Sequence, residues 1–206
     1  MLEKGDGGKW RDALKEKWPA WGTNDAVPAG YPQPWEDVQE TKQCSHNLTP
    51  FAFQATVDGE ERRFTIYLSG WRDVHGKSSS PDPDCAIYLS QEWLKGRIIG
   101  VKGSNIVYLG WPDMKDMDIR PVRRACRWAT NSLKLGHRLE IGCFGGHGRT
   151  GTMVSLLMVH LGWQAEDAIK EVRGRYCQRA VETQAQEKMV MAAEKQWKKE
   201  GANVSR

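Results

Sequence analysis

Hydrophobic positions in this chain follow two rhythms, and the change between them separates strands from helices. Phe64-Thr-Ile-Tyr-Leu68 is dense in aromatic and β-branched residues and is followed by Gly70, which predicts a strand. Further short strands are expected at Ile87–Leu89, Ile98–Val101 and Ile106–Leu109, the last two joined across Lys102-Gly-Ser104. The stretch from Gly76 to Asp84 is a loop by composition. Beyond it the period lengthens. Pro121 suits the first position of a helix, and Val122, Ala125, Cys126, Ala129 and Leu133 recur at helical spacing until Gly136. Arg138-Leu-Glu-Ile-Gly142 alternates as a strand and leads into the glycine-rich run from Cys143 to Arg149. Thr150 to Leu161 is apolar nearly all round, as befits a helix buried in mid-domain. Ala165, Ala168, Ile169 and Val172 predict an amphipathic helix, and Met189, Val190, Ala193 and Trp197 another. Strands and helices alternate, so the expected fold is α/β, with a central, mostly parallel sheet flanked by helices.

The beginning of the chain reads differently. Residues 1–60 form a Trp- and Pro-rich extension, in which only Arg11 to Trp18 has helical spacing. Trp is over-represented, ten against four Phe, and Trp10, Trp18, Trp21 and Trp35 all fall in this extension, where they would pin it to the domain surface. The domain proper is expected at 61–200 and a polar tail at 201–206.

With 206 residues the chain is long enough for one buried core. Lys and Arg number 30 against 26 Asp and Glu, a net charge of +4. That surplus suits anionic ligands but lacks the dense basic clusters of a dedicated nucleic-acid binder. Mean hydropathy is −0.64, and the longest apolar stretch, Met153 to Trp163, is far short of the roughly 20 residues that span a bilayer. The first residues lack the apolar core of a signal peptide, so a cytoplasmic protein is expected. Five cysteines without a CxxC pair fit neither a disulfide framework nor a zinc ribbon. Cys44-Ser-His46, His75 and Cys85 are spaced too irregularly for zinc and read as free side chains.

The chemistry concentrates in the glycine-rich loop. A strand, a tight turn and a buried helix make an anion site, because converging N–H groups and the helix N-terminus both favour negative charge. The Lys that a Walker A loop requires is absent. Gly146-His-Gly148-Arg-Thr-Gly151 satisfies G-x-G-x-x-G, but it lies late in the chain without an acidic residue at the next strand end. The flanks fit better. Cys143 stands at the strand end, with Arg149 and Thr150 at the helix start. Loop dipoles would stabilise a thiolate there, and a guanidinium can grip two phosphoryl oxygens in a fork.

This C-x5-R-[ST] pattern resembles the cysteine-dependent protein tyrosine phosphatase superfamily. Trp111-Pro-Asp113 matches its mobile acid loop, while Val172-Arg-Gly-Arg175 and Ala180-Val-Glu-Thr-Gln-Ala-Gln186 match its later helix and glutamine segment. The resemblance covers roughly residues 64–195 in order, and the short chain looks like the dual-specificity branch. It implies Cys143 as nucleophile, Asp113 as general acid and base, and Thr150 as support for the departing thiolate. Gln186 would position water, with Gln184 the alternative; Asp116 and Asp118 are alternative acids. Phosphate would be held by Arg149 and the backbone of Phe144, Gly145, Gly146, His147 and Gly148. No metal or cofactor is implied. One departure stands out: Gly142 occupies the place where the family usually has His.

Other residues leave smaller questions. His147 adds charge at the mouth or is a solvated loop residue. Cys85, Cys126 and Cys177 are conceivable resolving thiols. The implied substrate is a phosphorylated protein or peptide, with phosphotyrosine first and phosphoserine or phosphothreonine beside it. Basic Arg120, Arg123, Arg124 and Arg127 would favour a phosphoinositide or an RNA 5′-triphosphate, or else form a solvated face. A non-catalytic phosphate-binding pseudophosphatase is the reading from another class.

Overall fold

The structure, a computed structural model, describes residue 46 and residues 48–72, 83–90 and 105–204. Expectations for Arg11–Trp18, the N-terminal tryptophans, Cys44, His75 and the strand at Ile98–Val101 lie outside the described residues.

Five strands form one mixed sheet in the order β1-β2-β5-β3-β4. They are β1 (Thr49–Val57), β2 (Glu60–Gly70), β3 (Cys85–Tyr88), β4 (Ile106–Tyr108) and β5 (Leu139–Cys143). All neighbours are parallel except β1 and β2, which form an antiparallel hairpin. This hairpin begins inside the stretch assigned to the extension, so the sheet starts at Thr49 and not after residue 60. Phe51, Phe53, Ala55 and Val57 alternate inward and are buried, and Asp58-Gly59, both at positive φ, make the two-residue turn. Trp163 Nε1–H donates to the Gln54 carbonyl at 2.8 Å, which ties the edge strand to the helical part.

Four helices follow the period of their apolar positions: α1 (Ile119–Lys134), α2 (Gly148–His160), α3 (Ala165–Arg175) and α4 (Gln184–Val204). Helix α1 begins two residues earlier than Pro121 suggests, because Asp118 caps it by accepting the Arg120 N–H at 2.9 Å. Proline still fits in the first turn, where no intrahelical donor is required. Helix α4 continues to Val204, into the stretch expected to be a polar tail. Helix α2 touches all three other helices and β5. Its core side chains from Met153 to Met158 are completely buried.

The order of the sheet decides where the site lies. Strand β5 is central, between β2 and β3, and its last residue is Cys143. In open parallel sheets the crevice beyond the carboxyl ends of the strands is the natural ligand site. At the opposite end, Asp84 accepts from Arg138 Nε and Nη2 at 3.0 Å each and from its backbone N–H at 2.9 Å, which pins the start of β3 to the start of β5.

Candidate active site

The loop between β5 and α2 is braced by β2. The Trp71 N–H donates to the Cys143 carbonyl at 2.9 Å and the Arg72 N–H to the Phe144 carbonyl at 3.1 Å. Phe144 stacks on Trp71, ring centroids 5.9 Å apart. Gly70 permits this approach: a Cβ there would stand 2.8 Å from the Gly145 carbonyl carbon. The loop then curls over the thiol. Cys143 is 2 % exposed, and the Gly146 N–H donates to its Sγ at 3.2 Å. Tyr176 donates its hydroxyl to the Gly146 carbonyl.

Arg149 lies in the first turn of α2, nearly buried. Its Nη1 donates to the Trp111 carbonyl at 3.0 Å, and Nη2 pairs with Asp113 Oδ1 at 3.0 Å. The Trp111–Asp113 segment therefore sits directly across from the loop that follows Cys143. Trp111 anchors it, being buried itself and donating Nε1–H to the Lys115 carbonyl at 2.8 Å. Asp113 remains 64 % exposed on its side chain. Of the alternative acids, Asp116 is exposed with no contact to the loop described. Asp118 is a helix cap, and the Arg120 guanidinium and N–H hold its carboxyl below the usual range.

Thr150 and Gln186 are fully buried. Thr150 Oγ1 and both amide atoms of Gln186 lack a hydrogen-bond partner among the described residues. Gln186 stands at the helix N-terminus, its Nε2 3.2 Å from where a Gly148 Cβ would be. Gln184 is exposed, whereas Gln186 is buried against Gly148.

Glu182 is a site residue that sequence reasoning missed. It stands in the same segment as Gln186, and its Oε2 would lie only 2.2 Å from a Cβ on Gly148, so a side chain there would push the Glu182 carboxylate aside. The residue is exposed overall, but its side chain is only 23 % exposed. Burial pushes its carboxyl above the usual range; Arg179 opposes this, Asp113 adds to it, and the Gly148 N–H and Arg149 oppose it less strongly. Glu182 follows Val181, which is buried and has a φ of +55°. A β-branched residue rarely adopts that left-handed backbone. Arg173 holds the turn, donating Nε–H to the Ala180 carbonyl at 3.0 Å and Nη2–H to the Val181 carbonyl at 2.6 Å.

One expectation needs correction. His147 is not a solvated loop residue: it is 5 % exposed and turned inward, against His46 and Cys177. Of the basic residues of α1, Arg124 and Arg127 are exposed, Arg120 is exposed while pairing with Asp118, and Arg123 pairs with Glu200, as a solvated face would have them. Cys85 lies on β3 with its thiol directed at the Arg138 carbonyl. Burial pushes the Cys85 thiol up to about 11 and that of Cys126 higher still, so neither is primed as a resolving thiolate.

No helix among the described residues is long and apolar enough to cross a membrane. The chain is 37 % identical over 82 residues to an uncharacterized protein, MJECL20, of Methanocaldococcus jannaschii; the match covers 40 % of this chain and 51 % of that one. The chain thus spans about half the length of that relative. Among solved structures, the fold matches a glycine-to-alanine mutant form of Tk-PTP with a TM-score of 0.51 at 21 % identity, covering 70 % of this chain and 96 % of that one. A kinase associated phosphatase with serine in place of its catalytic-site cysteine matches with a TM-score of 0.50 at 16 % identity, covering 72 % and 94 %. Residues 89–200 match the family model of the Swiss Army Knife protein, DSP-PTPase phosphatase domain. That match takes in more than half of the sequence, and the chain belongs to the DSP-PTPase phosphatase-domain family, within the cysteine-dependent protein tyrosine phosphatase superfamily.

Proposed function

We propose that this protein hydrolyses phosphomonoesters through a phosphocysteine intermediate, with phosphotyrosine in a protein or peptide as the first substrate and phosphoserine or phosphothreonine beside it. The observation that carries this reading is the juxtaposition at the end of β5. A buried Cys143 Sγ accepts a loop N–H, and Arg149 lies across from Asp113.

In the first step Cys143 Sγ attacks phosphorus. The bond from phosphorus to the ester oxygen breaks, and Asp113 gives its proton to that leaving oxygen. Loop N–H groups from Phe144 to Arg149 and the Arg149 guanidinium hold the equatorial oxygens, where the charge resides in the transition state. In the second step water, held by Gln186, attacks phosphorus and loses a proton to Asp113. The P–S bond breaks, and the thiolate leaves toward the Thr150 hydroxyl. The unpartnered, buried Thr150 Oγ1 and Gln186 amide support these two roles.

Turnover of a small aryl phosphate by the full chain tests the reading. Cys143→Ser should abolish turnover yet still bind vanadate or phosphate, and Arg149→Lys should be severely impaired, because a point charge cannot reproduce the planar fork. Anion binding without any turnover by the unmodified chain, across a panel of phosphopeptides, would instead identify a pseudophosphatase.

A further inference from the structure

Behind the phosphate loop lies a second cluster that hydrolysis does not use. His46 precedes β1, and its carbonyl accepts the Gly70 N–H at 2.7 Å. His147 belongs to the loop itself. Cys177 follows the C-terminal end of α3, its N–H donating to the Val172 carbonyl at 3.1 Å. All three side chains are buried. His46 Nε2 lies 3.0 Å from His147 Nδ1, and the same Nδ1 lies 3.3 Å from Cys177 Sγ. One ligand atom from each residue falls within 4.8 Å of the other two.

Counting lone pairs makes this arrangement informative. His147 Nδ1 has one in-plane lone pair or one proton, yet two heteroatoms approach it. If it accepts, an imidazole N–H and a thiol compete for a single lone pair. A cation resolves the competition, since the nitrogen and sulfur lone pairs can then converge on one centre. Zinc bonds of about 2.0–2.1 Å to nitrogen and about 2.3 Å to sulfur put tetrahedral ligand atoms roughly 3.3–3.6 Å apart. The two observed separations are within a few tenths of an ångström of that. Two imidazoles and one thiolate, with no carboxylate in the group, select a borderline-soft ion over magnesium or calcium. The surroundings also hold the ligands in place: the Tyr176 ring packs on His46 with centroids 4.6 Å apart, and His46 Cβ lies 2.8 Å from where a Gly146 Cβ would be.

We propose that His46, His147 and Cys177 form a zinc site that fastens the phosphate loop to the segment before β1 and to the connection between α3 and α4. His46 binds through Nε2 and His147 through Nδ1, each keeping its proton on the other ring nitrogen. Cys177 binds as thiolate and releases its proton to solvent, so one proton leaves per zinc bound. Water takes the fourth position. The proposal stands apart from the phosphatase reading, because its ligands exclude Cys143.

The test uses the full chain carrying Cys143→Ser, which removes the competing thiol. Zinc titrated against a chromophoric chelator should bind at one equivalent. Adding Cys177→Ser or His46→Asn should weaken binding at least about tenfold, whereas adding Cys85→Ser should not. Cobalt substituted for zinc should show a thiolate charge-transfer band that Cys177→Ser removes. X-ray absorption on the zinc-loaded parent needs no further substitution, and should show one sulfur and two imidazoles. No binding by the parent, a zinc shell without sulfur, or undiminished affinity in the Cys177→Ser and His46→Asn variants would each overturn the proposal.

Discussion

At the scale of single residues, two carboxylates face the phosphate loop and differ in what surrounds them. Asp113 is exposed and paired with Arg149. Its proposed work is to protonate a poor leaving group, a task in which general acids contribute roughly 10²–10⁴-fold. Asp113→Asn should therefore slow a phosphotyrosine peptide by about that factor. An ester of a strongly acidic phenol, which departs unaided, should lose far less, and steady-state kinetics on both esters read the contrast. Glu182 is held over the Gly148 N–H with its carboxyl raised. A raised carboxyl contributes stability that is fully present below its unfolded value, about 4.3, and is lost as pH rises through the folded value. Glu182→Gln should accordingly gain thermal stability over the parent at neutral pH, and the gain should vanish in acid. The same variant should bind vanadate more tightly at neutral pH, because a competing negative charge is gone. Cys143, Arg149 and Asp113 were legible in the sequence because each sits in a short motif with fixed spacing. Glu182 stood inside a quoted segment, but its role depends on a turn at Val181 that no residue type announces. The inward orientation of His147 was hidden for a similar reason: its partners come from positions 46 and 177.

Elements were legible wherever periodicity was long. Helices α1 to α3 fall within two or three residues of their expected bounds, since an apolar face of several turns constrains both period and ends. Strand β1 was missed although its signals are local. Asp58-Gly59 between alternating apolar residues is a strong hairpin signal, but the Trp- and Pro-rich stretch before it drew the segment into the extension. Between elements, the forked Asp84–Arg138 contact joins the starts of β3 and β5. Arg138 lowers the Asp84 carboxyl to about 2. A lowered carboxyl contributes stability above its unfolded value, near 3.9, that is lost as pH falls toward the folded one. Asp84→Asn should then lower Tm modestly at neutral pH, since the pair is partly exposed and solvent-screened. Melting curves of the two proteins should converge at about pH 2, below which the carboxyl is protonated in the folded and unfolded states alike.

The described fold is arranged around β5 and α2, which place Cys143 and Arg149 at the junction of a fully buried strand and a nearly fully buried helix. Amides of these two elements should exchange with deuterium only on global unfolding, while the edge strand β1 exchanges sooner; hydrogen-exchange mass spectrometry reads the order. Loss of the nucleophile's geometry should therefore coincide with loss of the fold. The turn at Val181 behaves otherwise. Its left-handed backbone costs about 1–2 kcal/mol, which is outweighed by the roughly 1.5–3 kcal/mol from burying the side chain. When a fluctuation exposes that side chain, the burial is forfeited but the strain is released, so opening costs less here than at an unstrained core position. Residues 180–186 should thus open as a unit before the sheet yields, exchanging and meeting proteases early. Glu182 and Gln186 would leave with them, and on the proposed mechanism the protein would pass through a state that still binds a phosphoester and forms the phosphocysteine but no longer guides water to it.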